Sequence, residues 1–435
     1  MNLNEIKIKI ARITKKSLFQ DTSWMLIARL FNVIVQAAYF VILARSLGAE
    51  NYGSFVAVTA LASLLFPFIA LGSDDVLVKE VSVNRTIFSS YWGNTLLILL
   101  VNSICLTSCL LLLARLIFPD NISLLTIAFL LIADLFGLGL QEVSNKALRA
   151  IGFVDKAAQL VVLSTVGKLL AVLCLITFVD NLNSATNLEL NTWSVLYFAS
   201  SFLVGLFALG SVNKIGGKPT LKLTRLKSDI AQGIYFAIGM SANNINNNID
   251  KTMLASMATL DATGIYGSAY RFINIGDVPA MALFSASYPR FFQEGSRGFK
   301  SCLNFAKKLL PIILVYGVFS FAAFEIFAPL VPKILGAEYQ NAISTLRWLA
   351  PLPFITALQL LTANTLTGLG YQRSRSIVQI IAAMINVILN FWLIPIFGLY
   401  GAIWATLTSD GIRMISLNIV LFYLYRKSQK PATEQ

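Results

Sequence analysis

The feature that most constrains this chain is a series of apolar runs, each about the 20 residues a helix needs to cross a bilayer. Twelve can be read, at roughly 24–44, 53–73, 94–115, 122–140, 158–179, 193–213, 230–256, 262–288, 309–330, 346–368, 376–396 and 399–424. Backbone in lipid must satisfy its own hydrogen bonds, so these runs are expected to be helices. Composition points the same way: 57% of residues are hydrophobic and 13% charged, where soluble domains carry about 25% charged residues. The expected class is an all-α integral membrane protein.

The charges orient it. Of 34 Lys and Arg, 25 fall on the side shared with the N-terminus. Only Arg45, Arg115, Lys333 and Arg347 fall on the opposite side. The excess marks the cytoplasmic face, so both termini are expected there. The net charge of +13 is thereby assigned to the membrane and not to nucleic acid. Residues 1–23 hold Lys7, Lys9, Arg12, Lys15 and Lys16 among isoleucines. They read as a basic amphipathic segment on the inner leaflet that runs into the first span without the pattern of a cleaved signal.

Two stretches in the first half recur in the second. ARSLGAENYGSFVA resembles ASMATLDATGIYGSAY, which sets Gly53 opposite Gly267, and RAIGFVDKAAQ resembles LTGLGYQRSRS, which sets Gly152 opposite Gly370. The offsets are 214 and 218 residues, close to half the chain, as expected of a duplication. Six spans per copy give two lobes related by a pseudo-twofold axis along the membrane normal. The expected divisions are an N-terminal segment, 1–23; a first lobe, 24–213; a basic cytoplasmic linker, 214–229; a second lobe, 230–424; and a tail, 425–435.

Five cations, Arg29, Lys168, Lys251, Arg271 and Arg413, fall inside spans. There each costs roughly 2.5–3.5 kcal/mol on insertion scales, so each must face protein or a wet cavity. Residues 239–277 concentrate the polar groups: five asparagines from Asn243 to Asn248, then Asp250, Lys251, Arg271, Asn274 and Asp277. Helical spacing puts Asn243, Asn247 and Asp250 on one stripe, Arg271, Asn274 and Asp277 on another, and Arg29, Asn32 and Gln36 on a third. The reading is a positively charged, water-filled path. Fixed cations suit a phosphate head, and amides and hydroxyls suit sugars. Simpler roles compete: snorkelling for Arg29, neutralisation of Asp410 by Arg413 at i, i+3, a pair of Lys168 with Asp134, and interhelical hydrogen bonding for the asparagines. The carboxylates Asp250, Asp277 and Asp410 are candidates to bind a coupling H⁺ or Na⁺.

Other chemistry is disfavoured. The chain has no histidine, which removes imidazole ligands, Ser-His nucleophiles and His proton relays. Its four cysteines form no CxxC pair, and the pattern GxxxxGK[ST] is absent. No metal or organic cofactor is expected.

The stretches LARSLGAENYGSFVAVTALASLLFPFIALG, DKTMLASMATLDATGIYGSAYRF and LGAEYQNAISTLRWLAPLPF, with LTGLGYQRSRSIVQ and NFWLIPIFGLYGAIWATLTSD, resemble the bacterial O-antigen and capsule-repeat flippases. These are members of the multidrug/oligosaccharidyl-lipid/polysaccharide (MOP) exporter superfamily. The resemblance implies a twelve-helix, two-lobed, multi-pass transporter of the cytoplasmic membrane that works by alternating access and is not an enzyme. It implies an undecaprenyl-pyrophosphate-linked oligosaccharide as cargo, with the polysaccharide polymerase machinery as a further partner. It also implies cavity cations on the first and eighth spans, matched here by Arg29 and Arg271. Lys168 and Lys251 join them on depth and helix face, and Asn247 and Asn274 complete the expected substrate-binding set. The related peptidoglycan-precursor flippases have fourteen spans, two more than are read here. A multidrug antiporter of the same superfamily and a membrane glycosyltransferase or polymerase are the alternatives.

Overall fold

The computed structural model describes residues 3–179 and 186–429, with side chains left out for 1–31, 178–188, 235, 239, 242 and 243. Every regular element among these residues is helical. In order they are α1 (Leu3–Leu65), α2 (Ser73–Val83), α3 (Phe88–Ile117), α4 (Leu124–Ile132), α5 (Gly139–Ala150), α6 (Val154–Val179), α7 (Thr186–Gly216) and α8 (Leu223–Met257). There follow α9 (Leu260–Ser296), α10 (Phe299–Phe327), α11 (Val331–Leu335), α12 (Ala342–Leu349), α13 (Leu352–Gly368), α14 (Gln372–Phe397) and α15 (Leu399–Gln429).

Among the described residues nine helical stretches are long and apolar enough to cross a membrane, where the sequence suggests twelve. The difference has identifiable causes. One stretch, Asn32–Phe68, runs through both of the first two expected spans, which α1 carries on either side of a break at Gly48. The seventh and eighth expected spans correspond to α8 and α9, which are 35 and 37 residues long. Their asparagines and charges keep them out of the apolar set. Large apolar side chains such as Leu112, Val315, Phe319, Phe391 and Trp392 are exposed, as befits surfaces whose solvent is lipid.

The chain packs as two compact units that interleave in sequence. The first comprises Met1–Leu43, Ile69–Cys105 and Ile132–Ile234. Within it α5 and α6 pack on α7, and α2 on α5. Lys146 of α5 bridges Asp74 and Asp75 in the first turn of α2, both at 2.8 Å. Between α4 and α5 the helix widens into a π turn, Ala133–Leu138. Such a turn displaces one residue from the regular ladder. Here Ser103 Oγ donates to the Leu135 carbonyl at 3.0 Å. The linker after α7 is stitched to the start of α3: Lys222 N–H donates to Asn94 Oδ1 at 3.0 Å, and Asn94 Nδ2 donates to Lys222 O and to Asp229.

The second unit comprises Ala44–Phe68, Leu106–Leu131 and Tyr235–Gln435. In it α9 lies along α13 and α14 along α15. The latter half of α1 belongs here because it meets α9 at bare backbone. A Cβ on Gly53 would lie 1.8 Å from the Leu260 carbonyl oxygen, and one on Gly264 would lie 1.9 Å from that of Ala49. Small residues permit such close crossings between membrane helices.

One of the paired stretches reappears as matched geometry. Helix α5 ends with Gly152 at φ 87 and α13 with Gly370 at φ 84. In both, the glycine N–H bonds back three residues at 3.0 Å, to Arg149 and to Thr367. The next N–H bonds back five, Phe153 to Leu148 at 2.9 Å and Tyr371 to Leu366 at 2.8 Å. This is one left-handed helix cap built twice.

Candidate functional site

Two amides of the asparagine-rich stripe on α8 are bonded at the helix surface. Asn244 Nδ2 donates to the Ser63 carbonyl at 2.9 Å, and Asn248 Nδ2 to the Asn244 carbonyl at 3.2 Å. Asn246 is buried with its Oδ1 lacking a partner among the described residues. The side chain of Asn243 lies outside the described residues.

Below this stripe lies Asp250, fully buried. It accepts the Tyr266 hydroxyl at 2.6 Å, the Lys251 backbone N–H at 2.8 Å and the Lys251 ammonium at 3.3 Å. The Tyr266 oxygen also lies 2.9 Å from Thr406 Oγ1. A phenol has one proton, and here it is committed to the carboxylate, so Thr406 is the donor in that second contact. The Lys251 ammonium further meets the carbonyl of Asn247 and stands 4.1 Å from the centre of the Tyr270 ring, a cation–π distance. Lys251 is therefore saturated by its own surroundings. Asn247 contributes its backbone oxygen to that end.

Asp410 is buried and pairs with Arg413 at 2.7 Å. Gln359 Nε2 donates to its backbone oxygen at 2.8 Å and reaches its carboxylate at 3.4 Å. The i, i+3 neutralisation legible in the sequence is thus present. On α14, Asn390 Nδ2 donates to Asn386, and Asn386 Nδ2 donates to Ser409 of α15 at 2.9 Å. Asp277 is half-buried, and its Oδ1 has no partner among the described residues. Arg271 and Asn274, one turn apart on α9, are exposed, and Arg271 hydrogen-bonds the hydroxyl of Tyr52. In a membrane helix, exposed polar groups of this kind need water or a ligand.

The first unit carries a similar constellation. Asp134, in the π turn, is buried and accepts the Tyr197 hydroxyl at 2.7 Å. The Lys168 ammonium stands 5.4 Å from the centre of the Tyr197 ring, near enough for its charge to act on Asp134. Trp193 lies against Tyr197 in a tilted arrangement, ring centres 5.5 Å apart. The side chain of Arg29 lies outside the described residues.

The structure thus brings Asn247, Asp250 and Lys251 into one network and sets Lys168 beside Asp134. It gives Asp410 its own partners and leaves Arg271 and Asn274 outward. The tyrosines 197, 266 and 270, with Thr406 and Gln359, escaped the sequence reading because tyrosine in an apolar helix looks like packing. The one available signal was the need of each buried carboxylate for donors.

Known proteins similar to this chain agree in kind. Residues 18–294 match the polysaccharide biosynthesis protein family. The "Putative O-antigen transporter" of Escherichia coli (strain K12) is 22% identical over 424 residues, spanning 94% of this chain and 97% of that one. Among solved structures, an inward-facing multidrug resistance MATE transporter of the MOP superfamily superposes with a TM-score of 0.72 at 15% identity, over 92% of this chain and 99% of that one. The lipid II flippase MurJ, in an inward closed conformation, gives 0.70 at 12% identity over 94% and 93%. A likeness at such low identity speaks for the fold alone, that of a multi-pass helical membrane protein. The match over residues 18–294 goes further and shows that the chain belongs to the polysaccharide biosynthesis protein family.

Proposed function

We infer that this protein is a flippase that carries undecaprenyl-pyrophosphate-linked oligosaccharide repeat units across the cytoplasmic membrane. It works by alternating access, with both termini inside, and serves O-antigen, capsule or exopolysaccharide synthesis. The observation that carries this reading is the pair Arg271 and Asn274. They stand exposed on α9, a helix long enough to span the membrane but too polar to lie in lipid. A guanidinium offers the fork of N–H donors that pyrophosphate oxygens accept, and the amide one turn away suits a sugar hydroxyl. Lys168 supplies a second positive centre in the first unit, and Lys251 shapes the site through Asp250 and Tyr270. Membership in a polysaccharide biosynthesis family and likeness to an O-antigen transporter and a lipid II flippase support the same class. The prenyl tail remains in the bilayer throughout, so the protein has only the head to shelter.

The test is relocation in proteoliposomes. Purified protein is reconstituted with a fluorescent undecaprenyl-pyrophosphate oligosaccharide, and loss of lectin access on one leaflet is followed. Relocation with the cargo chemically unchanged is the expected result. Uptake of a cationic dye without relocation would move the protein to the multidrug branch, and a new glycosidic bond in the product would make it an enzyme.

A further inference from the structure

The chain writes LGAE twice, at Leu47–Glu50 and at Leu335–Glu338. In both copies the glycine has positive φ, 70 at Gly48 and 117 at Gly336, and a new helical segment begins after it. The break in α1 leaves backbone groups without helical partners on either side. The second copy supplies one partner to each side. Glu338 Oε2 accepts the Ala49 N–H at 2.9 Å, and the Tyr339 hydroxyl donates to the Ala44 carbonyl at 2.9 Å. Tyr339 is fully buried. The Glu338 carboxylate lies so close over Gly48 that a Cβ there would fall 2.5 Å from Oε2. It also sits at the positive end of a helical segment, where negative charge is favoured.

We propose that Glu338 and Tyr339 form a clasp that closes the outer end of the transport path and has to release in every cycle. The placement on the outer face rests on the orientation inferred above. Three observations support the assignment. The clasp joins the connection between the first two expected spans to that between the ninth and tenth, 289 residues apart. One turn beyond it, the backbones of Gly53 and Gly264 touch, so α1 and α9 leave no gap between them at this end. Finally, the clasp holds by hydrogen bonds and keeps acidic groups close together. Burial and then the charges of Glu338 and Glu50 push the Asp261 carboxyl upward, while Glu50 is bound by Asn121 at 3.2 Å. Carboxylates held close to one another repel, which favours release over permanent closure.

The test reads the clasp without any cargo, so its outcome is independent of the cargo assignment. The exposed cysteines Cys105, Cys109 and Cys174 are replaced, and buried Cys302 is kept. Ala57→Cys is then introduced one turn inward from Gly53, at a fully buried position, and labelled with a membrane-impermeant maleimide in right-side-out vesicles. Loss of one hydrogen bond to a charged group shifts a closed–open equilibrium by roughly tenfold. Glu338→Ala is therefore expected to speed labelling about tenfold, Tyr339→Phe several-fold, and the double variant more than either. Asn121→Cys, exposed on the same face, serves as the orientation control. If it reacts only in inside-out vesicles, the clasp lies on the cytoplasmic face and the proposal of an outer closure is overturned. Should Glu338→Ala not accumulate, Tyr339→Phe decides, since it deletes one oxygen. Unchanged labelling of Ala57→Cys in the accumulating variants would overturn the proposal.

Discussion

Asp250 and Lys251 offer a quantitative test of whether a cation inside a membrane helix serves the cargo or the fold. Lys251→Met would leave a fully buried carboxylate with only the Tyr266 hydroxyl and one backbone N–H. Asp250→Asn would leave a buried ammonium with a carbonyl and two rings. Removing one partner of a buried pair costs about 3–5 kcal/mol. The lysine retains cation–π contact worth about 0.5–2 kcal/mol, so Asp250→Asn should lie toward the lower end. The double variant removes both charges and should cost less than either single change, giving a coupling energy of at least about 2 kcal/mol. Tyr266→Phe deletes one hydrogen bond to a charged group and should cost about 1.5–3 kcal/mol. Unfolding of the detergent-solubilised protein, followed by tryptophan fluorescence, measures all four. Additive effects of the two single changes would refute the structural pairing. A Lys251→Met protein with full stability but no transport would return Lys251 to direct phosphate contact.

Three further outcomes are expected. Gly53→Ala or Gly264→Ala places a Cβ within 2 Å of a carbonyl oxygen across the crossing of α1 and α9; either should drive the protein from the membrane, as measured by its level in membrane fractions. Arg271→Ala should lower relocation of lipid-linked oligosaccharide at least tenfold at a normal membrane level. Arg271→Lys should fall between the two if charge carries the contact and match Ala if the paired N–H donors do. Asp277→Asn should abolish the response of transport to collapsing the proton or sodium gradient while leaving the protein well inserted. A wild-type protein indifferent to both gradients would remove Asp277 from that role.

How far the sequence reached can be judged residue by residue. Apolar length located the helices, because hydropathy is a property of each segment alone. The match of Gly152 to Gly370 was legible because it rests on local chemistry that survives as a short motif; that the motif is a left-handed cap came with the structure. The pairing of Asp410 with Arg413 was legible for the same reason, both lying on one helix face. What stayed hidden depends on how helices rotate and cross. Tyr197 meets Asp134 across 63 residues and Glu338 caps Ala49 across 289. Periodicity gives the face a side chain occupies but not the helix opposite that face. The polarity of α8 and α9 was plain in the sequence, yet it suggested cations free for cargo, whereas Lys251 is bound up with Asp250.

That last difference shows how the fold handles charge. Each unit holds a buried carboxylate that takes a hydrogen bond from a tyrosine hydroxyl, and in each a lysine ammonium lies near the same ring. Tyrosine meets both needs of such a site, since its hydroxyl donates to the anion without adding charge and its ring face attracts the cation. The spacing that achieves this differs. Asp134, Lys168 and Tyr197 come from three separate helical segments, while Asp250 and Lys251 are neighbours with Tyr266 sixteen residues on. Geometry of contact, more than sequence position, is what the two units have in common. A lysine held in this way contributes field but is costly to withdraw from its carboxylate. Arg271, exposed on α9 and bonded to Tyr52 rather than to a carboxylate, is the cation on which the proposed contact with an anionic head rests.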